Sequence, residues 1–204
     1  MIFQPGVPST IILMLGKKTA LGKRSMTHFA ARFARVLGKK EQPSLGIINS
    51  QSVKTVQHCK KNGYDAGKKI KGRKRHILVD TLGLVHGLIV HPANVPEREG
   101  AKLLLKPLRN TLTRMGKIVA DGGYQGQKMI DWVRENCDWI FEIVKRTELH
   151  VFRVLPKRWI VERTFGWFND YRRLSKDYEY ADDTSENMIY IAMAQLMLNR
   201  LAKT

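Results

Sequence analysis

Three polar residues stand where a folded chain could bring oxygen atoms together around metal ions. Asn49 ends a short apolar run, Asp121 ends another, and Glu162 falls in the first turn of an aromatic-rich helical segment. Carboxylate and carbonyl oxygens are the ligands that Mg²⁺ prefers. A pair of such ions, held by carboxylates, activates the attacking oxygen and stabilises the leaving oxygen of a phosphate ester. The pattern therefore indicates two-metal chemistry on phosphodiesters.

Simpler roles exist for two of these residues. Asp121 precedes Gly122-Gly123, and Asp-Gly is a common turn pair. Glu162 could complement the dipole of its helix or pair with Arg158, four residues earlier. From the residues alone, Glu162 is open to interpretation as a metal ligand or as a residue that stabilises its helix. For Asp121, the turn is the better interpretation.

The periodicity of apolar residues predicts the elements that must position these side chains. Short β-branched runs predict strands at 46–50 and 117–121. They also predict a hairpin whose turn is Thr81-Leu82-Gly83. The other predicted elements are a strand at 139–144 and helices at 97–112, 127–136, 159–174 and 186–201. In the last helix Asp183 and Glu186 have the spacing of a capping box. We expect an α/β architecture, a mixed sheet covered by helices.

The composition limits the kinds of partner. The chain has 36 Lys and Arg against 18 Asp and Glu, a net charge of +18, which favours a polyanion. No apolar run is long enough to span a bilayer, so we expect no membrane partner. Two cysteines without metal-ligand spacing predict neither a disulfide framework nor a zinc site, and we expect reduced thiols in a cytosolic protein.

Several ordered sequence blocks resemble the bacterial insertion-sequence transposases that have an Asp, Asp, Glu catalytic triad. The blocks are IINSQSVKT, GYDAGKKIKGRKRHILVDTLGL, ANVPEREGAKLLL, ADGGYQG, EIVKR and PKRWIVERTFGWFNDYRRLSKDYE. They run from about Gly46 to about Tyr180, which is most of the chain.

This resemblance implies a fold, a reaction and its catalytic residues. The fold is ribonuclease-H-like, a mixed sheet flanked by helices, and the reaction is cleavage at the ends of a DNA element followed by strand transfer. Asp121 resembles the second catalytic aspartate, Glu162 the catalytic glutamate and Arg158 the arginine of the signature around it. The implied cofactor is two Mg²⁺ or Mn²⁺ ions, and the implied partners are double-stranded DNA, both element ends and target.

Asn49 departs from the pattern, because the resemblance implies an aspartate at this position. An amide can offer its carbonyl oxygen to a metal, but it brings no negative charge and its NH₂ group repels the cation. Asp65 and Asp80 are near in sequence, yet we place them in a loop and a hairpin turn, where neither substitutes. We therefore expect impaired catalysis. The alternatives are a non-catalytic basic DNA-binding remnant and a nuclease that cleaves without joining strands.

Two basic clusters predict contacts with the DNA backbone, whose phosphates supply much of the affinity of such enzymes. The segment from Lys54 to Arg75 holds nine basic residues and one acid, Asp65. The second cluster flanks Glu162. The predicted contacts are Lys54, Lys68, Lys69, Lys71, Arg73, Lys74, Arg75, Arg158, Arg163, Arg172 and Arg173. We interpret Trp159, Phe165, Trp167 and Phe168 as core residues rather than platforms for base stacking.

The chain divides in our prediction into a basic N-terminal segment, 1–45, and a catalytic domain, 46–204. The segment is partly helical, with Ser25 or Thr27 as N-cap and Gly38 as the stop, and we expect it to be truncated relative to family members. We expect a homo-oligomer on DNA, with the apolar C-terminal helix as a candidate contact, and a location in the cytoplasm at the nucleoid.

Overall fold

A computed structural model describes residues 19–144 and 158–202, and within them five helices surround a six-stranded sheet. The elements in chain order are α1 (Thr19–Val36), β1 (Leu45–Lys54), β2 (Gly63–Asp65), β3 (Ile70–Val79), β4 (Val85–Pro92), α2 (Glu97–Leu108), β5 (Lys117–Ala120), α3 (Gln127–Cys137), β6 (Ile140–Ile143), α4 (Arg158–Asn169) and α5 (Asp182–Leu201). Short 3₁₀ turns at Gly122–Tyr124 and Arg172–Leu174 follow β5 and α4. No helix in this part of the chain is long and apolar enough to cross a membrane.

The long strands form a mixed sheet in the order β4-β3-β1-β5-β6, and β2 pairs with the first residues of β3. β3 is antiparallel to both β1 and β4, whereas β5 and β6 run parallel to β1. Gly83, at φ +83°, makes the predicted turn between β3 and β4 in a conformation that favours glycine. This strand order confirms the ribonuclease-H-like α/β fold.

Alternating side chains of the central strands build one core on each face of the sheet. Ile47, Ile77 and Val119 belong to the first core, which α1, α4 and α5 cover. Ile48 and Ile118 belong to the second core, which α2 and α3 cover. The sheet is therefore the middle layer of three.

The helix boundaries correct three of the predictions. α1 already runs from Thr19, so Ser25 and Thr27 lie inside the helix and neither is its N-cap. α5 begins at Asp182 with Ala181 as its N-cap, so Asp183 is not the cap, and the Glu186 carboxylate accepts a hydrogen bond from the Val90 amide of β4. α4 ends at Asn169, so the predicted helix 159–174 is a shorter helix followed by a 3₁₀ turn.

The two terminal helices pack within the chain. Met26, Ala30 and Phe33 of α1 are buried in the first core, beside Ile189 and Met193 of α5. Much of the apolar surface of α5 is thus covered by this chain's own residues, and its contact with a second copy stays a prediction.

Candidate active site

Asn49 and Asp121 lie side by side on the two central parallel strands. Ile47 of β1 pairs with Val119 of β5. Asn49 follows Ile47 by two residues and Asp121 follows Val119 by two, and the backbone at Asp121 is extended, with φ −88° and ψ 179°. Because side chains alternate along a strand, both residues stand at one level and on the face of the first core.

Helix α4 brings Glu162 to the same face. Its residues Ile160, Val161 and Phe165 belong to the first core, and α4 packs against β1. Val161 is fully buried, while Glu162 beside it is exposed. The three predicted residues thus belong to one face of the sheet, two on adjacent strands and one on the helix that packs against β1 and β3.

Each of the two strand residues has one side-chain oxygen engaged with a backbone amide. The Ser50 amide donates to Asn49 Oδ1 at 2.7 Å, and the Gly123 amide donates to Asp121 Oδ1 at 2.9 Å. Asp121 keeps a second carboxylate oxygen for a further ligand. Asn49 has only an NH₂ group in that place, and this group repels a cation.

The oxygen donors of this set suit a hard divalent cation, with one negative charge fewer than three carboxylates would bring. Among the residues that the structure describes, no group of three or more His, Cys, Asp or Glu side chains is arranged to hold a metal ion.

On the opposite face of β1, Ser50 belongs to a buried hydrogen-bonded network. Ser50 bonds to the hydroxyl of Tyr124, the residue that ends the 3₁₀ turn after Asp121. Burial raises the pKa of Tyr124 well above its usual range, and its hydroxyl forms a hydrogen bond with His76 Nδ1, 3.2 Å away. The network thereby connects the residue after Asn49 to the turn after Asp121.

A second buried histidine, His91, packs against His76, with ring centroids 4.8 Å apart. A Cβ on Gly100 would lie 2.5 Å from Nε2 of both rings, so glycine is required for α2 to approach β3 and β4 here. Burial lowers the pKa of both imidazoles, and the positive charge of Lys74 lowers both further. Both histidines are therefore neutral at pH 7.

Lys74 lies between two carboxylates beside this network. Its ammonium group contacts Glu97 Oε1 at 3.1 Å, Asp65 Oδ2 at 3.4 Å and the Val95 carbonyl at 3.0 Å. Burial acts to raise the pKa of Asp65, but hydrogen bonds from Ser52 and the Lys68 amide, and the charge of Lys74, outweigh it and lower that pKa to about 2. The carboxylates of Glu97 and Asp65 thus balance the positive charge of Lys74 within the cluster.

Neither nearby aspartate replaces the missing acid. The Asp65 carboxylate is occupied by Ser52, Lys74 and the Lys68 amide. The Asp80 carboxylate accepts the amides of Leu82 and Leu84 in the hairpin turn and pairs with a histidine, His86, at 3.1 Å. Asp65 is the last residue of β2 and not, as predicted, part of a loop, whereas Asp80 does lie at the hairpin turn.

The predicted DNA contacts at Arg73, Lys74 and Arg75 are wrong, because all three side chains are buried, at 0, 2 and 1% exposure. Arg73 pairs with Asp177 at 3.2 Å and Asp182 at 2.8 Å. Arg75 donates to the carbonyls of Leu174 and Lys176. A fully buried guanidinium must find internal acceptors, and these two tie β3 to the segment after α4.

The other predicted contacts divide into exposed and stacked residues. Lys54, Lys68, Lys69, Lys71, Arg172 and Arg173 are exposed. Arg163 is partly buried between two tryptophan rings. Arg158 is the first residue of α4, and its side chain lies outside the described residues. For the exposed set, contact with phosphate stays a prediction.

Sequence reasoning missed the Ser50, Tyr124, His76 and His91 network. The alternation in Asn49-Ser50-Gln51-Ser52 signals polar residues on the second face of β1, but their partners come from elements distant in sequence. It also misjudged Trp159, which is 45% exposed, whereas Phe165 and Phe168 are core residues as predicted.

The family model described as the transposase DDE domain matches residues 40–197. A curated relative from Burkholderia cepacia, named "Putative transposase for insertion sequence element IS402", is 28% identical over 141 residues, which are 65% of this chain and 65% of the relative. The matched region thus spans just under two thirds of the relative's length.

Two solved structures are distantly similar. One is the simian T-cell lymphotropic virus intasome in complex with PP2A regulatory subunit B56 gamma, with TM-score 0.44 and 14% identity, covering 74% of this chain and 48% of that one. The other is the Mos1 transposase paired-end complex with left transposon end, with TM-score 0.31 and 10% identity, covering 100% of this chain and 65% of that one. Both scores are low, and the fold assignment rests on the strand order instead.

Proposed function

The chain belongs to the transposase DDE domain family, and from this premise we propose that it acts on the DNA ends of an insertion sequence. The proposed reaction is metal-dependent cleavage at those ends followed by attack of the freed 3′-hydroxyl on target DNA. One observation supports it above the rest: Asn49 and Asp121 stand side by side where β5 ends, on the face of the sheet against which the helix that carries Glu162 packs.

In this proposal Asp121 and Glu162 hold Mg²⁺ or Mn²⁺, and Asn49 contributes at most its Oδ1. When bound, two such ions would supply an activated oxygen nucleophile and stabilise the leaving oxygen. The protein's own part is positioning. The Gly123 amide orients the Asp121 carboxylate, and the buried Tyr124 and Ser50 hold the strand and the turn that carry the site.

Asn49 also favours a second candidate, a basic DNA-binding protein of the same descent without cleavage activity. The amide lowers the charge of the metal site by one, and its oxygen is already engaged by the Ser50 amide. Asp at this position keeps that hydrogen bond, because a carboxylate oxygen accepts it equally well. Asn49→Asp is therefore a nearly isosteric restoration of the charge.

The test compares the natural chain with Asn49→Asp, Asp121→Asn and, as a control on a partly exposed carboxylate of α3, Asp131→Asn. Mn²⁺ affinity measured by calorimetry should rise by about tenfold or more in Asn49→Asp, since affinity follows the charge of the ligands. It should fall in Asp121→Asn and stay unchanged in Asp131→Asn. Equal affinity in all four proteins would contradict the metal site.

Cleavage is then measured on plasmids carrying the DNA that flanks this reading frame. Strand-transfer products from the natural chain would support the transposase, and cleavage without joining would support a nuclease. DNA binding with cleavage only in Asn49→Asp would select the non-catalytic candidate.

We also propose that the protein forms a homo-oligomer on DNA and acts at the nucleoid, in the cytoplasm.

A further inference from the structure

An apolar groove runs along the outer side of β4, the edge strand of the sheet. Its volume is about 230 Å³. Leu103, Pro107 and Leu108 of α2 line one side, and Met26 of α1 and Tyr190 of α5 line the other. The lining described by the structure contains neither Lys nor Arg. The groove is therefore unsuited to the phosphates of DNA and suits apolar side chains of another protein.

Helix α2 leaves an apolar strip open at the rim of this groove. Leu103 is 54% exposed, and Pro107, about one helical turn later, is exposed as well. Leu104 and Leu105 beside them are buried in the second core. Single apolar residues on a surface are common, but these two continue an apolar groove into one larger patch. Such a patch is typical of a protein–protein contact.

The backbone of β4 is closed to a further strand beside the groove. The Val90 amide donates to the Glu186 carboxylate at 3.0 Å, and the Tyr190 hydroxyl is hydrogen-bonded to the backbone of Leu88. Two side chains of α5 thus occupy positions at which an added strand would pair. An occupant of the groove must therefore bind through its side chains.

The charges on either side of Leu103 indicate which protein this occupant is. Glu99 precedes Leu103 by four residues and Lys106 follows it by three. Both side chains are exposed. They lie on the same side of the helix, about 10 Å apart along its axis. If two copies of α2 pack antiparallel about a two-fold axis at Leu103, Glu99 of each copy faces Lys106 of the other. The surface is thus complementary in charge to itself.

We propose that the groove and the open strip of α2 bind a second copy of this chain, with Leu103 of each copy in the groove of the other. Because Leu103 borders the groove, both insertions fit one two-fold axis, and the pair of Glu99 and Lys106 forms twice. The contact needs neither DNA nor metal, so it goes beyond the homo-oligomer that we propose on DNA.

The experiment is sedimentation equilibrium of the natural chain without DNA or metal, over a range of protein concentrations. We expect an equilibrium between monomer and dimer. Leu103→Asp should weaken the dimer by about 30-fold or more, because it places a charge in an apolar groove at the centre of the contact. The matched control is Ile140→Asp, since Ile140 is 66% exposed on β6, at the other edge of the sheet. It should dimerise as the natural chain does.

Charge reversals at exposed positions test the antiparallel arrangement without disturbing a core. Glu99→Lys and Lys106→Glu should each weaken the dimer by about tenfold, since two attractive pairs become repulsive. The double variant should regain the natural affinity, because its pairs form again with opposite signs.

Three results would overturn the contact: a natural chain that is monomeric at every concentration, a dimer that Leu103→Asp leaves unchanged, or a double variant as weak as the single reversals. Loss of the dimer in Ile140→Asp would overturn it too. Since these measurements contain no DNA or Mn²⁺, such results leave the proposed reaction standing. Failure of metal binding or cleavage would equally leave this contact standing.

Discussion

The basic run from Lys68 to Arg75 contains two groups of residues that differ in their exposure to solvent. Lys68, Lys69 and Lys71 are exposed, whereas Arg73, Lys74 and Arg75 are buried. The first group begins in the turn before β3, and the second lies inside β3, between β1 and β4. A run of positive charge in sequence is therefore not one surface in the fold, and only half of it can meet a polyanion.

The largest expected effect is on the buried group. Arg73→Ala removes the partner of Asp177, both of them at 0% exposure, and takes one hydrogen-bond donor away from each of three backbone carbonyls. Breaking a buried ion pair by removing one partner costs about 3 to 5 kcal/mol. Urea denaturation should show this loss, while Lys71→Ala, two residues earlier and exposed, should stay within about 0.5 kcal/mol of the natural chain. Similar stability of the two variants would contradict the difference between the buried and the exposed group.

A pH titration sharpens the comparison at His76, the buried imidazole that follows Arg73, Lys74 and Arg75 in β3. Burial holds the pKa of His76 well below its usual 6.5, and His91 and Lys74 lower it further. Below pH 6.5 the unfolded chain therefore binds more protons than the folded one, and stability falls as the pH drops toward the folded pKa. Urea midpoints should decrease from pH 7.5 to pH 5.5.

Histidine variants identify which residue causes the pH dependence of the urea midpoint. His76→Gln should unfold with a smaller change between the two pH values, and the exposed His58→Gln should retain the full change. If His76→Gln keeps the same pH dependence as the natural chain, the buried imidazole is not its source.

The smallest expected effect on stability belongs to the exposed group. Lys69→Ala with Lys71→Ala should leave the urea midpoint unchanged but weaken DNA binding uniformly across sequences. Two lost phosphate contacts should reduce the slope of log affinity against log salt concentration by about 2. An unchanged slope would show that these lysines face solvent without touching the DNA.

Local patterns were enough to predict most of the elements. β-branched runs and the turn at Gly83 predicted β1 and the hairpin of β3 and β4, because alternation and turn chemistry act within a few residues. The helix ends were predicted less well. The sequence suggested that Glu186 caps its helix. In the fold its carboxylate accepts a hydrogen bond from the Val90 amide of β4, which is far away in sequence.

The sequence by itself determined the family and the types of the three candidate ligands, including the amide at Asn49. It also determined the excess of positive charge. Tertiary structure decided which charges are available, that Ser50, Tyr124 and His76 form one network, and that Trp159 stays open while its neighbours are buried. The reason is physical: burial and pairing depend on strand register and helix packing, which join residues up to about a hundred positions apart, as the Arg73–Asp177 pair does.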